Sequence, residues 1–270
     1  MILELRELGN QRTISPSSLI SIIAGKNKLS FEQQDCHEFL LALLGTFYHE
    51  ARSSMSLVTE VRPRVGFDGL LGTKMTCQSC KHNRGIALHS FNVLSIPIQG
   101  KSLLDCLLFF LNAELLEEVE CLTCSPTRDG RKRRGFCIKQ TTIARLPKNL
   151  CIHINRLAYD TSGRPYKDHR HIAFELEEDI SQLCGLSNSH FSQTNTAGSG
   201  PYYSLVAVIE HLGSFNSGHY VCYRKLGGTW YKTSDSIVEI VDTHQVMRSN
   251  AFLLFYNQVH KKHVQGQDVQ

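Results

Sequence analysis

Four of the chain's ten cysteines fall in two Cys-x-x-Cys pairs, Cys77 with Cys80 and Cys121 with Cys124. Each pair sets two thiolates on one tight turn, and two such turns supply the four soft, tetrahedral ligands that structural Zn2+ prefers. Binding the ion would deprotonate the thiols and tie down loops with little core of their own. A set of four ordinary reduced thiols is the competing reading. Four protein ligands leave no open coordination position, so zinc held here is structural and not catalytic. A second candidate lies in residues 214–225, SFNSGHYVCYRK, where Gly218 precedes His219 at the expected start of a strand. Glycine there removes side-chain bulk, so a substrate backbone could pass close to the imidazole. Taken alone, a core or surface histidine fits the pattern as well. Further on, Trp230 and Tyr231 open another strand that Ser234 and Asp235 end. A polar side chain on that neighbouring strand could orient the ring of His219.

The rest of the sequence must hold these groups in place. A chain of 270 residues forms one large domain or a compact multi-lobed one. It buries roughly three-quarters of its unfolded surface without needing disulfides. A net charge of +4 is too mild to point to nucleic acid. No apolar run approaches the roughly twenty residues that cross a membrane, and the start, MILELRELGNQR, lacks a secretory signal pattern. Thiols in such a chain stay reduced. Residues 15–25 predict a helix capped by Ser15, with Pro16 in its first turn and Gly25 at its end. Ser30 and Gln33 predict a capping box for a second helix, whose apolar stripe is Phe39, Leu40, Leu43, Leu44 and Phe47. From residue 66 to 140 short strands alternate with the loops that carry the cysteine pairs. Beyond residue 141, runs such as LCIHINRL and YYSLVAVIEH predict strands. Residues 128–134, RDGRKRR, read as a solvated loop, because a nucleic-acid patch would bring interleaved aromatics. Residues 181–200 read as a flexible polar insertion, and the tail after His260 as frayed.

Five segments, in order, resemble the boxes of the ubiquitin-specific proteases. FEQQDCHEFLLALL is similar to their Gln-Gln-Asp-x-x-Glu-Phe-Leu box, and GFDGLLGTKMTCQSC to the strand leading into their zinc fingers. TTIARLPKNLCIHINRL, the histidine segment and the closing AFLLFYNQ complete the set, which spans residues 31–258. The resemblance implies an α+β, papain-like cysteine protease with a right-hand architecture of thumb, palm and fingers. Residues 1–60 would be a truncated helical thumb, 61–140 the zinc-bearing fingers, 141–258 a β-rich palm and 259–270 a tail, all of one catalytic domain. It implies a deubiquitinating thiol protease that hydrolyses the (iso)peptide bond after ubiquitin's C-terminal glycine, with ubiquitin and ubiquitinated proteins as partners. It implies His219 as general base, Ser234 as the residue that orients it and Asp235 as further support. Asp35 and Gly218 match positions that meet the substrate, and Cys77, Cys80, Cys121 and Cys124 match the ligands of one structural Zn2+. Serine at position 234 departs from the usual Asp or Asn and looks like the family's mitochondrial outer-membrane member, which has a Cys-His-Ser triad.

The larger departure is N-terminal. Members carry an Asn-x-Gly-Asn-x-Cys stretch upstream of the Gln-Gln-Asp box, and residues 1–30 hold neither that stretch nor any cysteine. The nucleophile is therefore expected to be absent from this sequence, and the chain as written inactive. Cys36, expected one turn into a helix, sits beside Asp35 and Glu38, which disfavour a thiolate. A protease sequence lacking its first segment, a natural pseudoenzyme that binds ubiquitin or a partner without cleavage, and a zinc-stabilised interaction module are the three readings. Retention of His219 and Ser234 speaks against the last. The expected location faces the cytoplasm, with the mitochondrial outer membrane reached through an anchor upstream of Met1.

Overall fold

The computed structural model describes residues 17–27, 34–53, 66–121, 123–124, 134–180, 183 and 202–259. The chain divides into two units, residues 1–63 and 64–270. The first unit contributes two helices, α1 (Ser17–Asn27) and α2 (Cys36–Ser53). Gly25 does not end α1, which continues to Asn27; a glycine in a last turn costs helix stability but does not forbid the conformation. Ser15, Pro16, Ser30 and Gln33 lie outside the described residues. The N-cap of α2 is Asp35, whose Oδ1 accepts from the backbone N–H of His37 at 2.7 Å and of Glu38 at 3.2 Å. These donors have no partner inside the helix, and a short carboxylate is well suited to them. Cys36 is thus the first residue of α2 and not a turn inside it. The predicted stripe does face inward: Phe39, Leu40, Leu43 and Phe47 are half-buried and Leu44 is buried, while Leu41 is exposed.

In the second unit a four-stranded sheet has the order β2-β1-β5-β4, with β1 Gly69–Cys77, β2 Asn83–Phe91, β4 Glu114–Glu120 and β5 Arg134–Arg145. Nearly all of β2 is exposed, and one small cluster of Cys77, Cys121 and Cys137, with Met75, Val119 and Cys124 against it, serves the far end of this sheet. So thin an apolar cluster leaves the tip dependent on something besides burial. No structure is described for residues 125–133, which include most of the basic run.

The main sheet is built from long strands in the order β13-β12-β11-β10-β14-β6-β3, with β9 (Glu177–Asp179) also on β10. These are β3 Leu94–Pro97, β6 Asn149–Asn155, β10 Tyr202–Gly213, β11 Gly218–Leu226, β12 Thr229–Ser234, β13 Ile237–Val241 and β14 Ala251–Val259. Residues 94–97 pair with β6 as the parallel member of an otherwise antiparallel sheet. Helix α3 (Leu103–Phe110) follows, opened by a reciprocal capping box between Ser102 and Asp105. Leu103, Cys106 and Leu107 of α3 join Ile96, Ile152, Ile154, Phe174, Tyr203, Val208, Val221, Trp230, Leu254 and Tyr256 in the principal core. A short helix, α4 (Thr243–Met247), separates β13 from β14. Five successive residues of β6, Leu150–Ile154, are buried, which marks a central strand covered on both faces. Strands β7 (Leu157–Tyr159) and β8 (Pro165–Lys167) form a separate small hairpin. Among the described residues no helix is long and apolar enough to cross a membrane. Most of residues 181–200 and the tail after Val259 lie outside the described residues.

Candidate active site and metal centre

His219 stands second in β11, opposite Leu212 of β10, just past the loop 214–217 that closes the hairpin. The loop is drawn tight by the Ser214 N–H, which donates to the Ser217 carbonyl at 2.8 Å. One strand over, β12 ends at Ser234, and its Oγ lies 2.8 Å from His219 Nε2. This is an ordinary hydrogen-bond length; just beyond the Cys222–Thr233 pair, the adjoining ends of β11 and β12 bring together two residues fifteen apart in sequence. Asp235 follows at φ +50° in the turn to β13, a backbone that aspartate tolerates better than most residues. Its Oδ2 is 3.9 Å from His219 Nε2 and its side chain is 85 % exposed. At that distance it offers a solvent-screened Coulomb attraction to a protonated ring and no hydrogen bond. The imidazole is 43 % exposed, so a reacting group can reach it. Ser234 occupies Nε2, which leaves Nδ1 to exchange a proton with whatever approaches.

Gly218 also meets a local packing demand. A Cβ there would stand 2.2 Å from Nε2 of His211 and 2.2 Å from the carbonyl oxygen of Leu212. The His211 ring stacks on Tyr220, centroids 4.6 Å apart. Gly218→Ala is expected to destabilise the protein by about 1–3 kcal/mol through overpacking, read as a lowered unfolding midpoint. An unchanged midpoint would show that the hairpin accommodates the methyl group.

The four paired cysteines converge. Their sulfurs all lie within 4.8 Å of one another, with Cys77 Sγ 3.8 Å from Cys124 Sγ and Cys80 Sγ 3.6 Å from Cys121 Sγ. Tetrahedral zinc with bonds of about 2.3 Å separates its sulfurs by about 3.8 Å, so the residues present fit that ion. Two features prepare the sulfurs for it. Backbone N–H groups of Cys80 and Ser79 pull the Cys77 thiol down to about 6, and those of Cys124 and Thr123 lower Cys121. The Cys124 thiol is pushed up to about 12, first by its contact with Cys80 and then by burial, as expected for a thiol crowded by other sulfurs. Cys137, opposite Cys77 in the register of β1 and β5, is buried nearby but is not one of the four.

Residues 1–256 match the family model for ubiquitin carboxyl-terminal hydrolases. The chain belongs to the ubiquitin carboxyl-terminal hydrolase family. Among its relatives, ubiquitin carboxyl-terminal hydrolase 8 of Saccharomyces cerevisiae is 27 % identical over 245 residues, covering 86 % of this chain and 50 % of that protein. Human ubiquitin carboxyl-terminal hydrolase 2 is 29 % identical over 287 residues, covering 90 % and 45 %. The chain spans about half the length of these curated relatives. Among solved structures, the SAGA Ubp8/Sgf11/Sus1/Sgf73 deubiquitinating module bound to ubiquitin aldehyde aligns with a TM-score of 0.74 at 25 % identity, over 90 % of this chain and 54 % of that one. A second structure of that module, bound to monoubiquitin, aligns with a TM-score of 0.69 at 26 % identity, over 85 % and 49 %. The fold is therefore the papain-like, mixed α+β fold of this hydrolase family. His219, Ser234 and Asp235 meet at one end of its main sheet, and Asp35 caps a helix of the other unit.

Proposed function

We propose that this chain is the base-bearing part of a deubiquitinating thiol protease, and that the 2.8 Å contact between His219 Nε2 and Ser234 Oγ is its catalytic pair. Family membership supplies the reaction class, and this contact is the observation that carries the assignment of residues. His219 takes the proton of a cysteine thiol at Nδ1, and the thiolate adds to the carbonyl carbon of ubiquitin's last glycine. His219 then returns the proton to the departing amine, and water later attacks the thioester carbonyl, which frees ubiquitin's C-terminal carboxylate and regenerates the cysteine thiol. Ser234 holds the ring in plane throughout, while Asp235 contributes only through space. The nucleophile belongs to a segment that these 270 residues do not contain: residues 1–30 carry no cysteine, and Cys36 is bracketed by Asp35 and Glu38. Asp35 and Gly218, each taken within its own unit and by its match to the family's boxes, are the residues that meet the substrate. The ubiquitin-bound state of the two aligned modules supports ubiquitin as the partner. One zinc ion, held by Cys77, Cys80, Cys121 and Cys124, braces the four-stranded sheet and takes no part in the chemistry.

The test is turnover of a ubiquitin C-terminal amide by protein that includes the cysteine segment. Cleavage after the last glycine is expected. Ser234→Ala is expected to lower kcat by about 10- to 100-fold, because an orienting group contributes less than the base it orients. A rate equal to the wild type would transfer that role to Asp235, checked with Asp235→Ala. Tight ubiquitin binding with no turnover would mean a binding protein and not a protease.

A further inference from the structure

We propose that Lys167 is a positioning residue for His219: its ammonium fastens the neck of the β10–β11 hairpin and so fixes where the imidazole stands. The proposal rests on the reading of His219 as general base. Lys167 Nζ lies 2.7 Å from the carbonyl oxygen of His211, 3.0 Å from that of Gly213 and 3.1 Å from His211 Nδ1. An ammonium has three donors and no acceptor, so all three bonds are donated, and all go to one arm of one hairpin. The backbone so held is the backbone opposite the base: Leu212 pairs with His219, and Gly213 with Gly218. The same contact sets the His211 ring. Its Nδ1 accepts, its Nε2 therefore carries the proton, and that edge lies where Gly218 has no side chain.

The lysine has firm footing of its own. It ends β8, and the β7–β8 hairpin is closed by Asp160, whose Oδ1 accepts from the N–H groups of Ser162 and Arg164. Behind it, the buried Arg156 donates to the carbonyls of Ala251, Asp168 and Arg170. Asp168 returns its N–H to the Arg156 carbonyl at 2.7 Å. Lys167 therefore links a hairpin anchored at β14 to the hairpin that carries the base. Burial lowers its pKa, nearby Arg156 acts in the same direction, and Glu210 opposes them. Lys167 is half-buried, and its charge-assisted bonds to the hairpin offset the desolvation it bears.

Lys167→Met, in protein that includes the cysteine segment, is expected to lower kcat for a ubiquitin amide by about 10- to 100-fold, as misplaced catalytic groups do. KM is expected to stay within about twofold. Amide hydrogen exchange is expected to speed up at residues 211–219 and to stay slow in β6 and β14. Lys167→Arg keeps the charge and can still donate to the two carbonyls, so it is expected to retain part of kcat and part of the protection, and it decides the matter if the Met variant does not fold. Wild-type kcat in Lys167→Met, or lost kcat with unchanged exchange at Gly218 and His219 in either variant, overturns the proposal. Wild-type turnover by His219→Ala would instead sink the reading of His219 itself, an outcome the lysine variants leave untouched.

Discussion

Replacing His219 with alanine, in protein that includes the cysteine segment, is expected to lower kcat for a ubiquitin C-terminal amide by about 10³-fold or more. Two roles vanish together in this variant. No group remains at the end of β11 to take the thiol proton, and none to return it to the leaving amine. KM should change little, because the imidazole acts on the reacting atoms and not on the body of ubiquitin. Stability should change little as well, since the ring is 43 % exposed and lies outside the principal core. The pairing of a large loss in kcat with an intact fold separates a base from a structural histidine. Near-wild-type turnover would remove His219 from the mechanism.

Stripping the metal is expected to have the second large effect. Among the described residues, the buried cluster at the far end of the four-stranded sheet is three cysteines with Met75, Val119 and Cys124 packed against them, and nearly all of β2 faces solvent. Structural zinc contributes about 10–16 kcal/mol of apparent binding energy in small zinc-finger peptides, far more than so thin an apolar cluster supplies. Protein purified without chelators is expected to hold one zinc per chain. Cys77→Ser or Cys121→Ser should abolish that stoichiometry and speed amide exchange across β1, β2, β4 and β5, with the main sheet retained. Absence of zinc from the wild-type protein, or a sheet equally protected without it, would leave the four thiols as ordinary cysteines.

How much of this was legible in the sequence depended on whether the governing contacts were local. The apolar stripe of α2 and the strand character of residues 150–154 follow from periodicity and side-chain shape, and the structure places both as expected. The two Cys-x-x-Cys turns announced themselves by spacing, and the fold brings them together. Helix ends were harder. Asp35 caps α2 and Gly25 sits inside α1, while Ser30 and Gln33 lie outside the described residues; several nearby residues could serve at a helix end and sequence does not rank them. Pairing across long distances was invisible: nothing in residues 94–97 reveals that they pair in parallel with β6. Lys167 is the clearest case. A lone lysine in RPYKDHRH looks like any surface charge, and only the fold shows its ammonium among the hairpin carbonyls. Gly218 stands out in the sequence by its place before His219, whereas its close approach to the His211 ring and the Leu212 carbonyl is visible only in the fold.

The most direct test of the central claim is covalent capture. Ubiquitin ending in a thiol-reactive electrophile would be incubated with protein that includes the cysteine segment, and the linked residue read by peptide mass spectrometry. The expected result is a single adduct on a cysteine outside these 270 residues, formed quickly in the wild type and far more slowly in His219→Ala. An adduct on Cys36, or no adduct despite ubiquitin binding, would contradict the account.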